Sequence, residues 1–377
     1  MDIYVVQAGD NVDSIAAKYQ IPATALVYDN QIEQPYRLAI GQALFISTRE
    51  EVNRRWPLYV SGYAYPFIQP TVLAETAQWI TELYVFSYGF TEDGDLVPPA
   101  TDDTWMIPVI WQEGARPVLT LTPLGPDGFF NNNLITALFE NPHAQENLIT
   151  QLKAVMKEKS YGGLDIDFEY IAADDRLGFV EFVHTMTESM NASGYRVTVA
   201  LAPKTSAEQR GILYEGMDYK LLGAVANRVM LMTYEWGYTY GPPMAVAPID
   251  QVRRVVEYAV SVIPKDKISM GIPNYGYDWP LPYEQGVTQA KTISNLEAVQ
   301  IAIDHGAEIQ FDETAQSPYF HYWEDGIEHE VWFEDVRSLK AKFDLIREFD
   351  LSGAGYWQFM NYFRVNWLLM QTMFYTI

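Results

Sequence analysis

Cysteine is absent from the 377 residues, which removes disulfides, thiolate nucleophiles and thiolate metal ligands together and leaves the redox compartment open. Histidine is scarce. The five present (His143, His184, His305, His321 and His329) are scattered, with no HExxH or comparable ligand spacing, so no metal site is expected. Basic charge is also short, at 25 Lys and Arg against 49 Asp and Glu, for a formal net charge of −24. Nucleic acid and anionic membrane both call for a basic surface, so neither is expected as a partner, and neutral or weakly charged ligands remain. No uncharged apolar run of about 18 residues occurs, so no transmembrane helix is expected. The opening MDIYVVQAGD shows no basic stretch followed by an apolar one, so no secretion signal is expected either.

Aromatic residues are abundant, with 26 Tyr, 18 Phe and 10 Trp, a supply that suits a large core and is compatible with a sugar-stacking cleft. The length allows one large domain and one small one. In the first segment, residues 3–6 read as a strand, Gly9-Asp10 as a turn, and Asn11 as the N-cap of a helix carrying Val12, Ile15, Ala16 and Tyr19 on one face. A second short helix follows Pro22, and Gly41-Gln42 leads into a strand over residues 43–46, giving βααβ within residues 1–48. Residues 49–57, polar and charged up to Trp56 and closed by Pro57, read as a linker.

From Leu58 to the end at 377, strand-like runs alternate with helical ones, at residues 58–64, 82–88, 116–122, 162–171, 195–202, 228–234, 267–273 and 353–359. Several runs are continuously apolar, as in parallel strands covered by helices, and eight of them suggest closure into a (β/α)8 TIM barrel of the α/β class. Residues 277–333 are too many for one helix and hold short strand-like pieces, so a small inserted α+β subdomain is expected there. Residues 91–103 and 123–133 read as long loops, expected to wall a cleft.

The fourth run, GGLDIDFEYI (162–171), alternates strictly. Asp165, Asp167 and Glu169 share one parity, with no Lys or Arg among them. In an extended strand these carboxyls stand about 6.6 Å apart on one face. Like charges so close resist ionising together, so one carboxyl is expected to stay protonated near neutrality, as a general acid requires. The competing reading is an amphipathic strand with its acidic face in water. Glu169 falls at the C-terminal end of the strand, where barrel active sites are built. No second carboxyl is a compelling partner, although Asp278 and Glu235 are candidates.

Two resemblances sharpen this. Residues 4–46, with Tyr4, Val6, Gly9, Asp10, Leu26, Asn30, Gly41, Gln42 and Leu44 in place, resemble a LysM module. The resemblance implies binding of N-acetylglucosamine-containing glycans, peptidoglycan or chitin, in a groove lined by Gly9, Asp10, Asn11 and Val12 and by Asn30, Gln31 and Ile32. GGLDIDFE resembles the DGxDxDxE signature of glycoside hydrolase family 18, the chitinase-like family. MTYEW (232–236) resembles its MxYD motif, and GYWQ (355–358) its eighth-strand segment.

The family resemblance implies a retaining, substrate-assisted hydrolysis that needs no cofactor. Glu169 would be the acid, Asp167 would hold the substrate acetamido group, Asp165 would tune Asp167, and Tyr234 would bond the acetyl oxygen. Trp357 would floor the sugar pocket, with Met232, Glu235, Tyr63, Tyr88, Asn274, Tyr275 and Gln358 as further candidate substrate contacts. Two departures stand out. Gly162 replaces the first Asp, so the base of the acidic column is expected to be missing, and Glu235 replaces the Asp of MxYD. A LysM-like module before such a barrel resembles the spore-germination glycosidases of endospore-forming bacteria. That implies β-1,4 cleavage at N-acetylglucosamine in peptidoglycan, and a spore- or cell-wall-associated protein made in the cytoplasm. Chitin hydrolysis and a catalytically silent glycan-binding or coat protein are the alternatives.

Overall fold

The structure is a computed structural model, and it describes residues 1–48 and 55–377. At the N-terminus, strands Asp2–Val5 and Ala43–Ile46 pair antiparallel beside helices Val12–Tyr19 and Ala23–Asp29. The first helix starts where a reciprocal cap forms: Ser14 N donates to the Asn11 side chain at 2.9 Å, while Asn11 N donates to Ser14 Oγ at 3.1 Å. Val6, Val12, Ile15, Leu26, Ile32 and Leu44 make a separate small core.

The barrel strands are β1 (Trp56–Ala64), β2 (Glu82–Phe90), β3 (Arg116–Leu121), β4 (Gly163–Ile166), β5 (Arg196–Leu201), β6 (Arg228–Leu231), β7 (Ile268–Pro273) and β8 (Gly353–Trp357). All neighbours are parallel, and β1 pairs with both β8 and β2, so the sheet closes. The expected (β/α)8 TIM barrel is therefore the fold. Most boundaries agree with expectation to within two residues, and two strands end three or more residues early. β4 leaves the ladder after Ile166 and β6 after Leu231, because the chain turns out at the barrel mouth to build the site. Most of the expected linker, residues 49–54, lies outside the described residues, and its last two, Trp56 and Pro57, belong to β1.

Between β7 and β8 an antiparallel sheet of five strands runs in the order Lys291–Ile293, Gly276–Pro280, Ile327–Trp332, Ser317–Glu324, Gln310–Asp312. Helix Asn295–His305 packs on one face of it, burying Phe320, Tyr322 and Val331 against Ala298 and Ala302.

The N-terminal module is docked on the barrel. Ile309 N donates to Ile40 O at 2.9 Å, and the next residue, Gly41, has φ +82°; a Cβ there would stand 1.8 Å from Ile309 O, so only glycine fits. Arg364 N donates to Gln31 Oε1 at 2.6 Å, Arg364 Nη1 to Tyr28 O at 2.9 Å and Arg337 Nη2 to Gly41 O at 3.3 Å. Phe45 inserts into the main core.

Candidate active site

The acidic column rises through the barrel axis. Asp165 is fully buried, level with Thr120 of β3 and Thr198 of β5. Asp167 is 6% exposed, with its amide donating to Leu121 O at 2.9 Å, and Glu169 is half-buried at the mouth. The hydroxyls of Tyr63 and Thr120 lie beside Asp165 without a well-aligned hydrogen bond to it.

Electrostatics follow from this stacking. Burial pushes the Asp165 carboxyl up to about 8, aided by the charge of Glu82 beneath it and opposed by Tyr63 and Thr120. Asp167 is raised by burial, then by the charges of Glu169 and Asp165. Glu169 is raised by burial and then by Glu235. The phenol of Tyr234 is raised well above its usual range, first by burial and then by Asp167 and Glu169, so it stays a proton donor. Asp165 thus keeps its proton near neutrality, Asp167 and Glu169 are both shifted the same way, and Glu169 is the member that meets the opening.

A cavity of about 160 Å³ sits over Asp167 and Glu169, walled by Phe86, Thr122, Pro123, Phe130, Asn132 and Tyr170. Residues 123–133 do form a wall, through Pro123, Phe130 and Asn132. Trp357 packs edge-on to Tyr63 at 5.4 Å and to Phe86 at 5.2 Å, and Phe86 meets Phe130 at 6.4 Å, making one aromatic surface. Of the wall residues, none (Phe86, Thr122, Pro123, Phe130, Asn132, Tyr170) is among the individual candidates read from the sequence. Phe86 had a usable signal, since it shares the parity of Tyr84 on a fully buried strand.

The other candidate contacts divide. Met232 is half-buried beside Tyr234. Glu235 has φ +67° and is exposed on the cleft side, where its carboxylate accepts from the hydroxyls of Tyr275 and Tyr277, the latter at 2.9 Å. The protein crowded around its carboxyl end raises it, although the residue as a whole reaches solvent, and those two bonds lower it. Tyr275 is therefore a holder of Glu235. Tyr63 is 1% exposed and sits under the cleft, not on its wall.

Tyr88 turns away from the cleft altogether. A register shift between Val85 and Tyr88 in β2 reverses its facing, and its hydroxyl donates to buried Asp103 at 2.6 Å, where Tyr161 and Lys159 also bind. Asn274 spends its side-chain amide on Gln358 O (3.1 Å) and Asn361 O (2.9 Å), and Gln358 Oε1 accepts from Met360 N at 2.6 Å. Both brace the loop after β8. Asp278, considered as a second carboxyl, bonds His329 (2.8 Å) and Tyr322 (2.7 Å) inside the insertion.

Gly162 also corrects an expectation. A Cβ at 162 would meet Arg116 Cγ at 2.4 Å and Trp111 Cζ2 at 3.3 Å, in the layer outside the barrel. Position 162 is opposite in parity to Asp165, so no member of the inward column is missing.

In the N-terminal module, Gly9 and Asn11 are exposed, while Asp10 accepts from Tyr4 OH (2.6 Å) and Gln7 N (2.8 Å). Val12 and Ile32 are core, Asn30 Nδ2 donates to Leu26 O and Phe45 O, and Gln31 is latched to the barrel. Asn30, Gln31 and Ile32 therefore line a cavity of about 350 Å³ between module and barrel, which also includes Arg37 and Gln300.

A closed (β/α)8 barrel with an acidic strand opening into a cavity at its mouth is the framework of a glycoside hydrolase, and the chain belongs to glycosyl hydrolases family 18, whose model matches residues 128–361. The LysM domain model matches residues 4–47. Among relatives, the cortical fragment-lytic enzyme of Bacillus subtilis is 37% identical over 99% of this chain and 98% of its own. The putative sporulation-specific glycosylase YdhD of the same organism is 34% identical over 100% and 88%. The crystal structure of the Bacillus megaterium spore cortex-lytic enzyme SleL superposes with a TM-score of 0.92 at 32% identity, covering 100% of this chain and 98% of that one.

Proposed function

We propose that this glycoside hydrolase is a retaining β-N-acetylglucosaminidase that cleaves β-1,4 bonds in peptidoglycan, spore cortex or its fragments. The observation that carries the mechanism is the placing of Glu169 at the cavity mouth above Asp167 and Tyr234, its carboxyl raised by burial and by Glu235, which is itself tied to two tyrosine hydroxyls. The site thus supplies an acid and a cradle but no free nucleophile. The substrate's own acetamido carbonyl oxygen attacks C1 as Glu169 passes its proton to the departing glycosidic oxygen, leaving an oxazolinium ion and a Glu169 carboxylate. Asp167 accepts from the acetamido N–H, Tyr234 donates to the acetyl oxygen, and Asp165 tunes Asp167 from below. Glu169 then takes a proton from water, which opens the ring with net retention. Trp357 carries the sugar's apolar face.

The polymer assignment rests on the relatives named for cortex lysis and on the LysM module, whose exposed Gly9 and Asn11 are the residues free to meet a glycan. A spore or cell-wall location follows from the same relatives. Digestion of defined cortex peptidoglycan, with mass analysis of the new reducing ends, should show N-acetylglucosamine ends. Glu169→Gln should lower turnover by about 10²- to 10⁴-fold. Turnover of chitin alone would reassign the polymer, and a Glu169→Gln chain as active as wild type would sink the enzyme reading.

A further inference from the structure

The loop after β5, residues 202–218, has no helix or strand of its own and carries a buried lysine that the mechanism above does not use. Lys204 is 3% exposed, and its ammonium donates to three main-chain carbonyls of the same loop: Ala207 O at 3.4 Å, Tyr214 O at 3.0 Å and Met217 O at 2.8 Å. A buried charge is costly unless its hydrogen-bonding capacity is filled, and an ammonium has three donors, here met by three acceptors. Because those acceptors come from separate points of the loop, they hold it in one shape around a tethered cation. The base of the loop is closed as well. Lys204 N donates to Tyr219 OH at 3.0 Å, that hydroxyl donates to Ala202 O, and Ala202 N donates to Met217 Sδ at 3.1 Å.

What this loop presses on is the chain next to the acid. Gly216, buried and lying in sequence between the Tyr214 and Met217 carbonyls, meets Ile171 main chain to main chain. A Cβ at 216 would stand 2.3 Å from Ile171 O and 2.5 Å from Ile171 Cβ. Ile171 is itself buried, and its amide donates to Glu169 O at 3.0 Å, so Glu169, Tyr170 and Ile171 make one tight turn. Ladder pairing of β4 ends at Ile166, and this turn is placed by what packs against it. We propose that Lys204 is a positioning residue for the hydrolysis: its ammonium keeps the β5 loop closed, so that Gly216 bears on Ile171 and holds the Glu169 carboxyl at the cavity mouth. The proposal rests on the reading of Glu169 as the acid and extends it to a residue that acts only through another segment.

Lys204→Met keeps the apolar stem and removes the charge, which leaves the three carbonyls free to part. On a short soluble chromogenic N-acetylglucosaminide, at equal folded concentration, kcat should fall about 10- to 100-fold with KM within about twofold, the loss that a shift of about 1 Å in a catalytic group brings. Glu169, released toward solvent, loses part of the burial that raises it, so the alkaline limb of kcat should move toward acid. Gly216→Ala pushes on Ile171 directly and should give the same kcat loss and the same limb movement with Lys204 in place; if Lys204→Met does not fold, this variant decides alone. In the double variant the two losses should not multiply, since both act through one contact. A wild-type kcat in either variant, losses that multiply, or a fall in rate that follows only the folded fraction with the limb unmoved, overturns the positioning role. A wild-type chain that cleaves no glycoside, or a Glu169→Gln chain as active as wild type, refutes the proposed function instead.

Discussion

Replacing Gly162 by aspartate, the residue that heads the family signature, tests whether the acidic strand is complete as it stands. Three residues of strand put position 162 about 10 Å from Asp165 and on the opposite face. A side chain there displaces Arg116, whose Cγ and Cδ lie 2.4 and 2.6 Å from the new Cβ; at 42% exposure that side chain is free to swing, giving up its 3.2 Å contact with Glu82. The new carboxylate would act on Asp165 with about 0.4 kcal/mol at a water-like dielectric and about 1.7 kcal/mol at an effective value near 20. Those bounds correspond to roughly 0.3 and 1.2 pKa units. The guanidinium of Arg116, beside the new charge and of opposite sign, cancels most of this.

Gly162→Asp should therefore leave kcat/KM on a soluble substrate within about twofold of wild type, and both limbs of its pH profile within roughly 0.3 unit. Stability should fall by about 1–2 kcal/mol, because buried Glu82 gives up the Arg116 contact but keeps the Tyr59 hydroxyl, and the loss is partly offset by the lower chain entropy of a residue that replaces glycine. Steady-state kinetics across pH and thermal unfolding measure both. A tenfold gain in rate, or a limb displaced by a full unit, would show that position 162 does communicate with the column, and the parity reasoning would fall.

Glu235→Gln removes the charge that, after burial, holds the Glu169 carboxyl up. Glu169 should then lose its proton at lower pH, and the alkaline limb of kcat/KM should move toward acid; a limb that stays or moves the other way contradicts the coupling. Asp165, raised from 3.8 to about 8, makes stability fullest below its ordinary value and erodes it as pH climbs toward 8. Asp165→Asn should match wild type in unfolding at pH 4 and exceed it at pH 8 by a few kcal/mol, at ~1.4 kcal/mol per unit; a variant weaker than wild type at pH 8 would count against this. Lys342 and Glu334 form an ion pair at 2.8 Å with both side chains essentially excluded from solvent. Lys342→Ala should cost about 3–5 kcal/mol in denaturant unfolding, and Lys342→Met with Glu334→Gln should recover much of it. Equal losses in single and double variants would show that the stranded charge is not the cause.

What was legible in the sequence was what has a period. Strict alternation through Asp165, Asp167 and Glu169, and apolar runs spaced by helices, follow from side-chain direction in strands and survive almost any packing. The same rule, applied to Gly162, was enough to place it outside the column, yet the family signature drew it in. Facing is lost where the period breaks. Phe86 and Tyr88 are both strand aromatics of one parity, and only the register shift between Val85 and Tyr88 sends the first to the cavity and the second to Asp103. Asn274 and Gln358, candidate substrate contacts, directly follow strand ends, but strand ends also carry unpaired carbonyls and amides of the next loop, and these take both side chains. Phe130 and Asn132 sit in a loop with no period to read.

The docked module alters what a glycan-binding domain can add here. A flexibly tethered module raises local substrate concentration and leaves direction to chance. This one is fastened by backbone contact at Ile40 and Gly41, by the Gln31 latch and by Arg337 and Arg364, so its orientation to the cleft is set by the fold. The latch uses the loop expected to form half of the module's groove, which leaves Gly9 and Asn11 as its free side. A glycan held there and one held over Glu169 are then at a fixed separation. Were the module to bind glycan at Gly9 and Asn11 as proposed, a single strand occupying both sites would have to match that span, and Gly41, whose replacement would force Ile309 away, is a position that holds it.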